Sequence, residues 1–438
     1  MQASADRTSG GTWISEHDET ALEDRVDYLS DAIRGIEAAE AARARQLDQH
    51  PKFALFGRAY LDTGLLDQDE LNRAQFGAAQ GGTRFRSTRL GVRGALSDVL
   101  SGEITVDFLG TETIGGQAVQ RTGIKNAFLQ VKELPLLQTF RIGHVKEPVS
   151  LEEATPSRCS SFLERSVLGT FIPVRNMGIR AMANSEAEDA TFAIGVFREP
   201  PDVVAMHESE IGGTGTTMRG TWLPWYDEAT EGRGLLHLGG YYSYRDVADG
   251  TLRFRRRADT IFNPYVVDTG MMTEVVNWHL VGAEAAVVFG PLSVQSEYAA
   301  ALVNRSGAAN PGFDALYVEV SYFLTGEHRV YNRTLSTFGR LNPIENAFRV
   351  RDGHGNVITG KGAWQLAYRY GYIDLIDTGV NGNRAGVHTM GVNWYLTPYA
   401  RLMAHYTYSL CNVTGADHPG GAGNSALQAM LMRLHFDF

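Results

Sequence analysis

The chain ends with the stretch Met430-Leu431-Met432-Arg433-Leu434-His435-Phe436-Asp437-Phe438. Its even-numbered residues are all apolar, whereas three of the four residues between them are Arg, His and Asp. Because successive side chains of a β-strand point to opposite faces, this stretch has one apolar face and one largely charged face. A transmembrane β-barrel needs that pattern, since its strands face lipid on one side and a wet lumen on the other. The stretch therefore predicts a strand of such a barrel.

The same alternation recurs along the chain from Phe53 onward. For example, the apolar Val318 and Val320 flank Glu319. Counting such segments gives about 16 strands, an even number as single-chain bacterial barrels require. We therefore predict an all-β fold, an antiparallel transmembrane β-barrel of about 16 strands over residues 51–438.

The composition restricts the classes of protein to which the chain can belong. The chain has 438 residues and a net charge of −10 at pH 7, and such an acidic chain is not expected to bind nucleic acid. No apolar run reaches the roughly 18 residues that a transmembrane helix needs. The acidic total still allows an anion channel, because selectivity depends on the charges that line the lumen.

The two cysteines, Cys159 and Cys411, are too few for a disulfide scaffold or a Cys-rich metal site. They form either one disulfide bond or two unpaired thiols, and the sequence alone allows both. No metal ion and no other cofactor is expected.

The N-terminal region differs from the rest of the chain. Residues 1–18 are polar and are predicted to be disordered, and no signal peptide is present, so we expect that it has been removed on export. Residues 19–50 are predicted to form a short coiled-coil helix, which His50-Pro51 ends. The alternative is one amphipathic helix packed on its own barrel. The heptad stripe comprises Leu22, Val26, Leu29, Ile33, Ile36 and Leu47.

Three groups of motifs carry a family resemblance. They are FRIGHVKEPVSLE at 140–152 with SFLERS at 161–166 and PVRNMG at 173–178, SYFLTGEHR at 321–329, and GVNWYLTP at 391–398 with RLM at 401–403. Together with Phe438, they resemble the phosphate-selective porin O/P family of Gram-negative outer membranes. The resemblance runs from about Phe53 to Phe438, and its first group is the most specific.

The resemblance implies a homotrimer of 16-stranded barrels in the bacterial outer membrane, with a periplasmic N-terminus. It also implies that the third long loop, here about 147–177, folds into the lumen and forms a constriction lined by basic and hydroxyl side chains. This loop carries basic and hydroxyl residues, namely Arg158, Ser160, Ser161, Arg165 and Arg175. The same loop carries the acidic residues Glu147, Glu152, Glu153 and Glu164.

Further arginines fall on the lumen-facing parity of their strands. They are Arg58, Arg89, Arg93, Arg141, Arg369, Arg401 and Arg433. Arginine suits phosphate because its planar fork donates two charge-assisted hydrogen bonds. As a set, these arginines and the loop residues predict a path for anions. The alternative is that each arginine pairs with a wall acid, such as Glu284, Glu297 or Glu319, and merely solvates the lumen.

These observations predict a passive, water-filled channel for small inorganic anions, with phosphate among them, in contact with outer-membrane lipid. One alternative is a general or cation-tolerant porin for small hydrophilic solutes. Another is a soluble β-rich enzyme or carbohydrate-binding domain. Motifs for catalysis are weak, since the glycine-rich stretch 212–217 has no phosphate-binding context and Glu327-His328 has no third ligand. We therefore expect no enzyme activity and no catalytic residue.

Overall fold

The computed structural model describes residues 25, 27–40, 51–114, 117–198, 213–262, 264–351, 353, 355–415 and 418–438. The chain divides into two compact units, Met1–Lys52 and Phe53–Phe438. In the first unit, residues 27–40 form a helix, α1, which confirms the predicted N-terminal helix over that part of the stretch. The predicted disorder of residues 1–18 and the two ends of 19–50 lie outside the described residues.

Helix α1 carries an uncovered apolar face. Leu29 is 56% exposed, Ile33 is 55% exposed and Ile36 is 60% exposed. All three belong to the predicted heptad stripe. A helix with such a stripe normally buries it against another element, so α1 has an apolar face available for packing.

The second unit consists mainly of strands, with the short helices α2 (Glu70–Phe76) and α3 (Leu151–Ala154) in two of its loops. The strands are β1 (Lys52–Gln68), β2 (Gly82–Ala95), β3 (Leu100–Ile114), β4 (Gln117–Leu134), β5 (Leu137–Lys146), β6 (Arg175–Asn184), β7 (Ala190–Arg198), β8 (Thr214–Tyr226), β9 (Gly234–Asp246), β10 (Arg255–Arg257), β11 (Tyr265–Asp268), β12 (Val275–Phe289), β13 (Leu292–Arg305), β14 (Gly312–Phe323), β15 (Tyr331–Asn332), β16 (Thr337–Phe338), β17 (Phe348–Arg351), β18 (Val357–Gly360), β19 (Ala363–Asp377), β20 (Val380–Thr397), β21 (Ala400–Val413) and β22 (Gly423–Asp437).

Sixteen of these strands close into one antiparallel barrel, which confirms the predicted fold class. The order around the barrel is β1–β9, β12–β14 and β19–β22, and β22 pairs with β1 to complete it. In that last pairing, Asp62 lies opposite Arg433 and Ala59 lies opposite Phe436. The other six strands form the hairpins β10–β11, β15–β16 and β17–β18.

The C-terminal strand β22 has the two faces that its sequence predicts. Met430 is 61% exposed and Phe436 is 48% exposed on the outer face, whereas Arg433 and His435 are each 3% exposed on the inner face. The backbone of Phe438 extends the pairing, because its N–H and C=O both bond to Gly57 of β1. The period of two therefore holds to the last residue.

Tyr and Trp side chains occupy only one arc of the outer face. The sequence contains no Tyr or Trp between Tyr60, which is buried against Arg433 inside the barrel, and Trp222. The outer face of β1–β7 therefore lacks both residue types. On β8–β21 the outer face carries Trp222, Trp225, Tyr242, Tyr244, Tyr298, Tyr322, Trp364, Tyr368, Tyr370, Tyr372, Trp394, Tyr406 and Tyr408.

The lumen is filled on one side. Two loops at the same end of the barrel, 147–174 and 247–274, fold inward and pack on the inner face of β12–β14 and β19–β22. Their apolar residues Val167 and Phe254 share one buried cluster with Phe313 of the barrel wall. The inner face on this side is therefore partly apolar, which corrects the expectation of a polar lumen all around.

The connection between β14 and β19 also folds inward. Its described residues hold the hairpins β15–β16 and β17–β18 rather than a further pair of barrel strands. Tyr331 and Phe338 of the first hairpin are buried against Leu151 of α3 and Leu235 of β9. This hairpin therefore supports loop 147–174 from the opposite end of the barrel.

Among the described residues, no helix is long and apolar enough to span a membrane. Cys159 and Cys411 are both free thiols, so of the two possibilities the structure has the unpaired one.

Candidate functional site

The acidic residues of loop 147–174 fix it to the barrel wall. The Glu147 carboxylate accepts hydrogen bonds from Asn176 Nδ2 at 2.7 Å and from Thr217 Oγ1 and Arg245 Nη2 at 2.6 Å each. Both partners of the Glu147–Arg245 ion pair have fully buried side chains. The Glu147 charge is therefore compensated on the side of the lumen formed by β6, β8 and β9.

Glu152, on α3, is compensated in the same way. Its carboxylate accepts from the backbone N–H and the hydroxyl of Ser166 at 2.8 Å each, and from Arg369 Nη1 at 2.8 Å. Its own N–H donates to Glu297 Oε1 of β13 at 2.6 Å. These contacts close the loop on itself and attach it to β13 and β19.

Glu153 and Glu164 form the remaining acidic anchors. Glu153 pairs with Arg165 at 2.8 Å and with Lys146 at 3.1 Å. Burial alone would raise the pKa of the Glu153 carboxyl, but these two cations outweigh burial and hold its pKa below the ordinary range. Glu147, Glu152 and Glu153 are thus each paired with cations or hydrogen-bond donors.

Glu164 bridges the loop to β2 and β22. It pairs with Arg86 at 2.7 Å and with Arg433 at 3.0 Å. Burial acts to raise the pKa of Glu164, but Arg86 and Arg433 together lower it to about 2. Arg433 also pairs with Asp62 of β1 at 2.6 Å, so one guanidinium joins the first strand, the last strand and the loop.

Four of the predicted arginines hold the loop in place. Arg369 binds Glu152 and Asp259, Arg433 binds Asp62 and Glu164, and Arg165 binds Glu153. Arg401 donates to His435 Nδ1 at 2.8 Å and to the Ser160 carbonyl at 2.7 Å. Three of the four pair with acids, as the alternative interpretation of the arginines predicts.

The two predicted hydroxyls are engaged within the protein. Ser161 is buried, and its Oγ accepts from Gln365 Nε2 at 3.1 Å. The Ser160 hydroxyl donates to the carbonyl of Phe162 at 3.1 Å and accepts from the N–H of Phe162 at 3.2 Å. These hydroxyls shape the loop at positions where the sequence predicted contacts with anions.

Apart from Arg158, the remaining predicted arginines lie on the other side of the lumen, on β1, β2, β5 and β6, where their side chains stay partly exposed. Arg89 pairs with Asp107 at 2.6 Å, and Arg93 pairs with Glu103 at 2.7 Å while its side chain stays 62% exposed. Both charges are locally neutralised.

Three arginines on this open side bond only to neutral groups. Arg58 donates to Ser157 Oγ at 2.7 Å, Arg141 to Gln130 Oε1 at 2.6 Å and Arg175 to Asn126 Oδ1 at 2.9 Å. In the described part of the chain, no carboxylate lies within ion-pair distance of any of the three. Arg175 was predicted to lie in loop 147–177, but the loop ends at 174, because Arg175 is the first residue of β6 and pairs with Lys146 of β5.

Arg158 is the one predicted loop arginine with an exposed side chain. It belongs to a short turn, Ser157–Cys159, at the part of the loop that contacts Arg58 and Arg401. Because it adds a charge where the loop faces open space, it belongs with the cations of the open side.

The sequence interpretation missed two further cations of the same side, Lys125 and Arg180. Lys125 is an extra residue at a bulge, since Thr105 of β3 pairs with Asn126 and the next residue of β3 pairs with Ile124. A bulge redirects side chains, and here it adds Lys125 to the lumen. The signal was the pair Lys125-Asn126, two polar neighbours in an otherwise alternating strand.

Arg180 lies on β6 between two outward-facing apolar residues, Ile179 and Ala181. It donates to the carbonyl of Lys146 at 3.3 Å. Because Arg180 alternates with Ile179 and Ala181 in the sequence, the two-residue period of a strand was sufficient to predict that Arg180 faces the lumen.

These cations lie within electrostatic range of one another. Arg58 interacts with Arg89 and Arg175, and Lys125 interacts with the same two arginines. Like charges gathered along one wall produce a positive potential in the adjoining water. The geometry therefore combines a loop whose acids are paired with an open wall that carries unneutralised cations.

Comparison with known proteins identifies the family of the chain and its cellular location. The family model for phosphate-selective porins O and P matches residues 53–438. The chain belongs to this family. As a member, it is an outer-membrane porin of a bacterium, which confirms the predicted location and removes the soluble β-rich domain from consideration.

Two sequence relatives cover most of the porin. Porin O of Pseudomonas aeruginosa is 25% identical over 330 residues, which make up 64% of this chain and 68% of the relative. An uncharacterized protein of Caulobacter vibrioides is 26% identical over 379 residues, 83% of this chain and 69% of the relative.

Solved structures share the fold of the porin. The outer membrane channel DcaP of Acinetobacter baumannii has a TM-score of 0.52 at 13% identity, covering 89% of this chain and 97% of that one. The anion-selective porin from Comamonas acidovorans has a TM-score of 0.51 at 11% identity, covering 89% of this chain and 100% of that one.

Proposed function

We propose that this porin is a passive, water-filled diffusion channel that favours small anions, inorganic phosphate among them, and that it performs no catalysis. One observation carries the proposal: Arg58, Arg141 and Arg175 bond only to neutral groups on the open side of the lumen. The acids of loop 147–174, which would oppose them, are paired elsewhere.

The selectivity follows from elementary electrostatics. Water is sparse in a narrow pore, so a fixed guanidinium there acts on a passing ion at a reduced effective dielectric constant. Several cations spaced along one wall attract an anion and release it stepwise, which conduction requires. Phosphate is favoured further because guanidinium donors match its oxygens. Arg165 and the loop hydroxyls act indirectly, by holding the loop against the opposite wall, whereas the exposed Arg158 adds a charge to the open side.

The alternative is a general or cation-tolerant porin. Two observations favour it: the net charge is −10, and Arg89 and Arg93 are neutralised by Asp107 and Glu103. It predicts little ion preference, whereas the anion channel predicts a marked one.

A reversal potential measured across a planar bilayer under a KCl gradient separates the two proposals. The anion channel gives the sign expected for chloride preference, and Arg175→Gln reduces the chloride-to-potassium permeability ratio by about twofold or more. That size follows from Coulomb's law, since a unit charge at about 8 Å in water contributes ~0.5 kcal/mol.

The matched control is Arg198→Gln, which removes an exposed arginine from the outward parity of β7 and is expected to leave the ratio unchanged. Added phosphate is expected to reduce the chloride current of the wild-type channel. A wild-type channel without anion preference would reject the proposal in favour of the general porin.

We also propose that the porin is a homotrimer whose contacts use the arc β1–β7 with β22. The outer face of β1–β7 has no Tyr or Trp, the residues that anchor a barrel at the lipid headgroups. It instead presents small and aliphatic residues, such as Ala59, Ile104 and Ile179, that pack well against a second barrel. The apolar stripe of α1 would then meet two copies of itself as a coiled coil on the periplasmic side.

Cross-linking tests this arrangement in the intact porin. Ala59→Cys is placed in the proposed contact, and Met390→Cys is placed on the outer face of β20 in the aromatic arc. Membranes treated with a short bifunctional thiol cross-linker should give covalent dimers for Ala59→Cys only. Equal cross-linking at the two sites would contradict the proposed interface.

A further inference from the structure

A cavity lies at the long-loop end of the barrel, between the loop 69–81 and the tip of the loop 247–274. Its volume is about 390 Å³, and its lining includes Thr83, Arg84, Arg257 and Phe262. This size falls within the range of about 300–1,000 Å³ that is typical of small-molecule sites. The cavity is separate from the wall of cations proposed above as the anion path.

The tip of loop 247–274 reaches across the lumen to form this cavity. The Phe262 ring lies over Gly64 of β1, where an added Cβ would come within 2.9 Å of the ring. Phe262 also packs with Leu163 and Leu431 of the neighbouring cluster. A side chain at Gly64 would displace Phe262, so the floor of the cavity depends on this glycine.

Arg84 is fixed in the cavity wall by neutral groups. Its guanidinium carbon lies 4.8 Å from the centre of the Phe262 ring, and its Nη2 donates to the carbonyl of Ile261. Its Nε is buried and has no acceptor among the described residues. Leaving such a donor buried without an acceptor costs free energy. In the described part of the chain, no carboxylate lies within ion-pair distance of this guanidinium, so its charge has no direct ionic partner there.

Arg257 places a second guanidinium on the same cavity. Its side chain lies over the Tyr265 ring at 4.2 Å, and it is the charged group that acts most strongly on Arg84. Two guanidiniums held close together repel each other, and an anion between them relieves that repulsion. Phe262, Ile261 and Pro264 add apolar side chains to an otherwise polar lining, so the cavity can also hold the apolar body of a small ligand.

We propose that this cavity binds small organic anions, a carboxylate or phosphate monoester attached to an apolar or aromatic body, before they enter the pore. The anionic group bonds to Arg84 and Arg257, and the body packs against Phe262 in an offset or edge-on arrangement. The inference rests on the proposed channel function and names a class of solute that it would concentrate at its entrance.

Single-channel recording of the full-length porin tests the inference with benzoate as the probe. Benzoate added on the long-loop side is expected to interrupt the current in brief blocks, and benzyl alcohol, its neutral analogue, is not. Arg84→Gln and Arg257→Gln are each expected to raise the half-blocking benzoate concentration about tenfold, equivalent to ~1.4 kcal/mol. Phe262→Leu keeps both charges and is expected to weaken the block by benzoate more than any block by inorganic phosphate.

The matched control is Arg73→Gln, which removes an exposed arginine of α2 from the same loop but outside the cavity. Equal block in this control and in Arg84→Gln would overturn the inference, as would equal block by benzyl alcohol or block by phosphate alone. The reversal potential is measured on the same channels. If the channel shows no anion preference but its block by benzoate still depends on Arg84, the proposed function is rejected and the proposed binding site in the cavity is retained.

Discussion

Glu152 of loop 147–174 and Arg369 of β19 are joined by a buried ion pair of 2.8 Å, across 217 positions of sequence. The contact fixes the first part of the loop, at α3, to the wall opposite the open cations. It also removes from the lumen a carboxylate that would attract potassium. The position of one acidic residue thus affects both the width of the channel and its charge.

Breaking that pair should loosen the loop while leaving the barrel intact. Glu152→Gln leaves Arg369 with Asp259 as its only carboxylate partner, at a cost on the order of 3 kcal/mol for a buried pair. We expect a larger mean conductance and more current noise in single-channel records. Glu186→Gln, in the exposed turn between β6 and β7, is the control. Unchanged records for Glu152→Gln would show that the loop is held by its apolar core alone.

The two loop arginines should respond differently to replacement by alanine. Arg158 is exposed, so Arg158→Ala removes a charge from the channel and should shift the reversal potential toward cations with a modest change in conductance. Arg165 donates to the carbonyls of Glu152, Glu153 and Thr155, so Arg165→Ala should chiefly increase current noise. Bi-ionic reversal potentials and noise spectra of the two variants check this. The reverse assignment would mean that Arg165, not Arg158, faces the permeating ions.

Acid should detach the loop only at low pH. The pKa of Glu164 is lowered from 4.5 to about 2, so its ion pairs are complete above about pH 4.5 and are lost as the pH falls through about 2. Channel noise should therefore stay constant down to pH 4 and rise below about pH 3. Arg86→Gln removes one of the two cations that lower this pKa and should move the transition to higher pH.

The control for this titration is Arg93→Gln, because Arg93 pairs with Glu103 of the barrel wall and not with the loop. A transition at the same pH in wild type and Arg86→Gln would show that another group governs the acid response.

The helix α1 should stabilise the trimer rather than the barrel. Ile33→Glu places a charge in the exposed apolar stripe and should lower the temperature at which trimers dissociate on semi-native gels. Deletion of residues 1–50 should lower it at least as much, while the heat-modifiable migration of the monomeric barrel is retained. Arg34→Gln, in an exposed pair with Asp31, is the control. A deletion variant whose trimer dissociates at the wild-type temperature would exclude the coiled coil.

The barrel was predictable because its rule is local. The alternation in β22 depends only on neighbouring residues. The side of the barrel wall that Met430, Arg433 and Phe436 face could therefore be predicted without any knowledge of the rest of the chain. The count of 16 followed by repeating that argument. The rule fails at Lys125, because a bulge inserts one residue and shifts the parity.

The contents of the lumen were not predictable in the same way. Phe313 and Ala315 face inward yet are apolar, because loops that are distant in the sequence cover them. Nothing near β14 indicates that cover. For the same reason, the sequence placed Arg369 and Arg433 in an anion path, whereas the structure pairs them with Glu152 and Asp62. Parity gives the face of a side chain, but its partner across the lumen depends on how the loops fold.

The contacts of Arg433 have a consequence for how the molecule is assembled. This residue of the last strand binds Asp62 of the first strand and, through Glu164 and the carbonyl of Leu163, the middle of the inward loop. These contacts stabilise the pairing of β1 with β22 from the lumen side of the barrel. The loop can bind an Arg433 that is already paired with Asp62 only after β1 and β22 have come together. Docking of the loop is therefore coupled to closure of the barrel and stabilises the closed state.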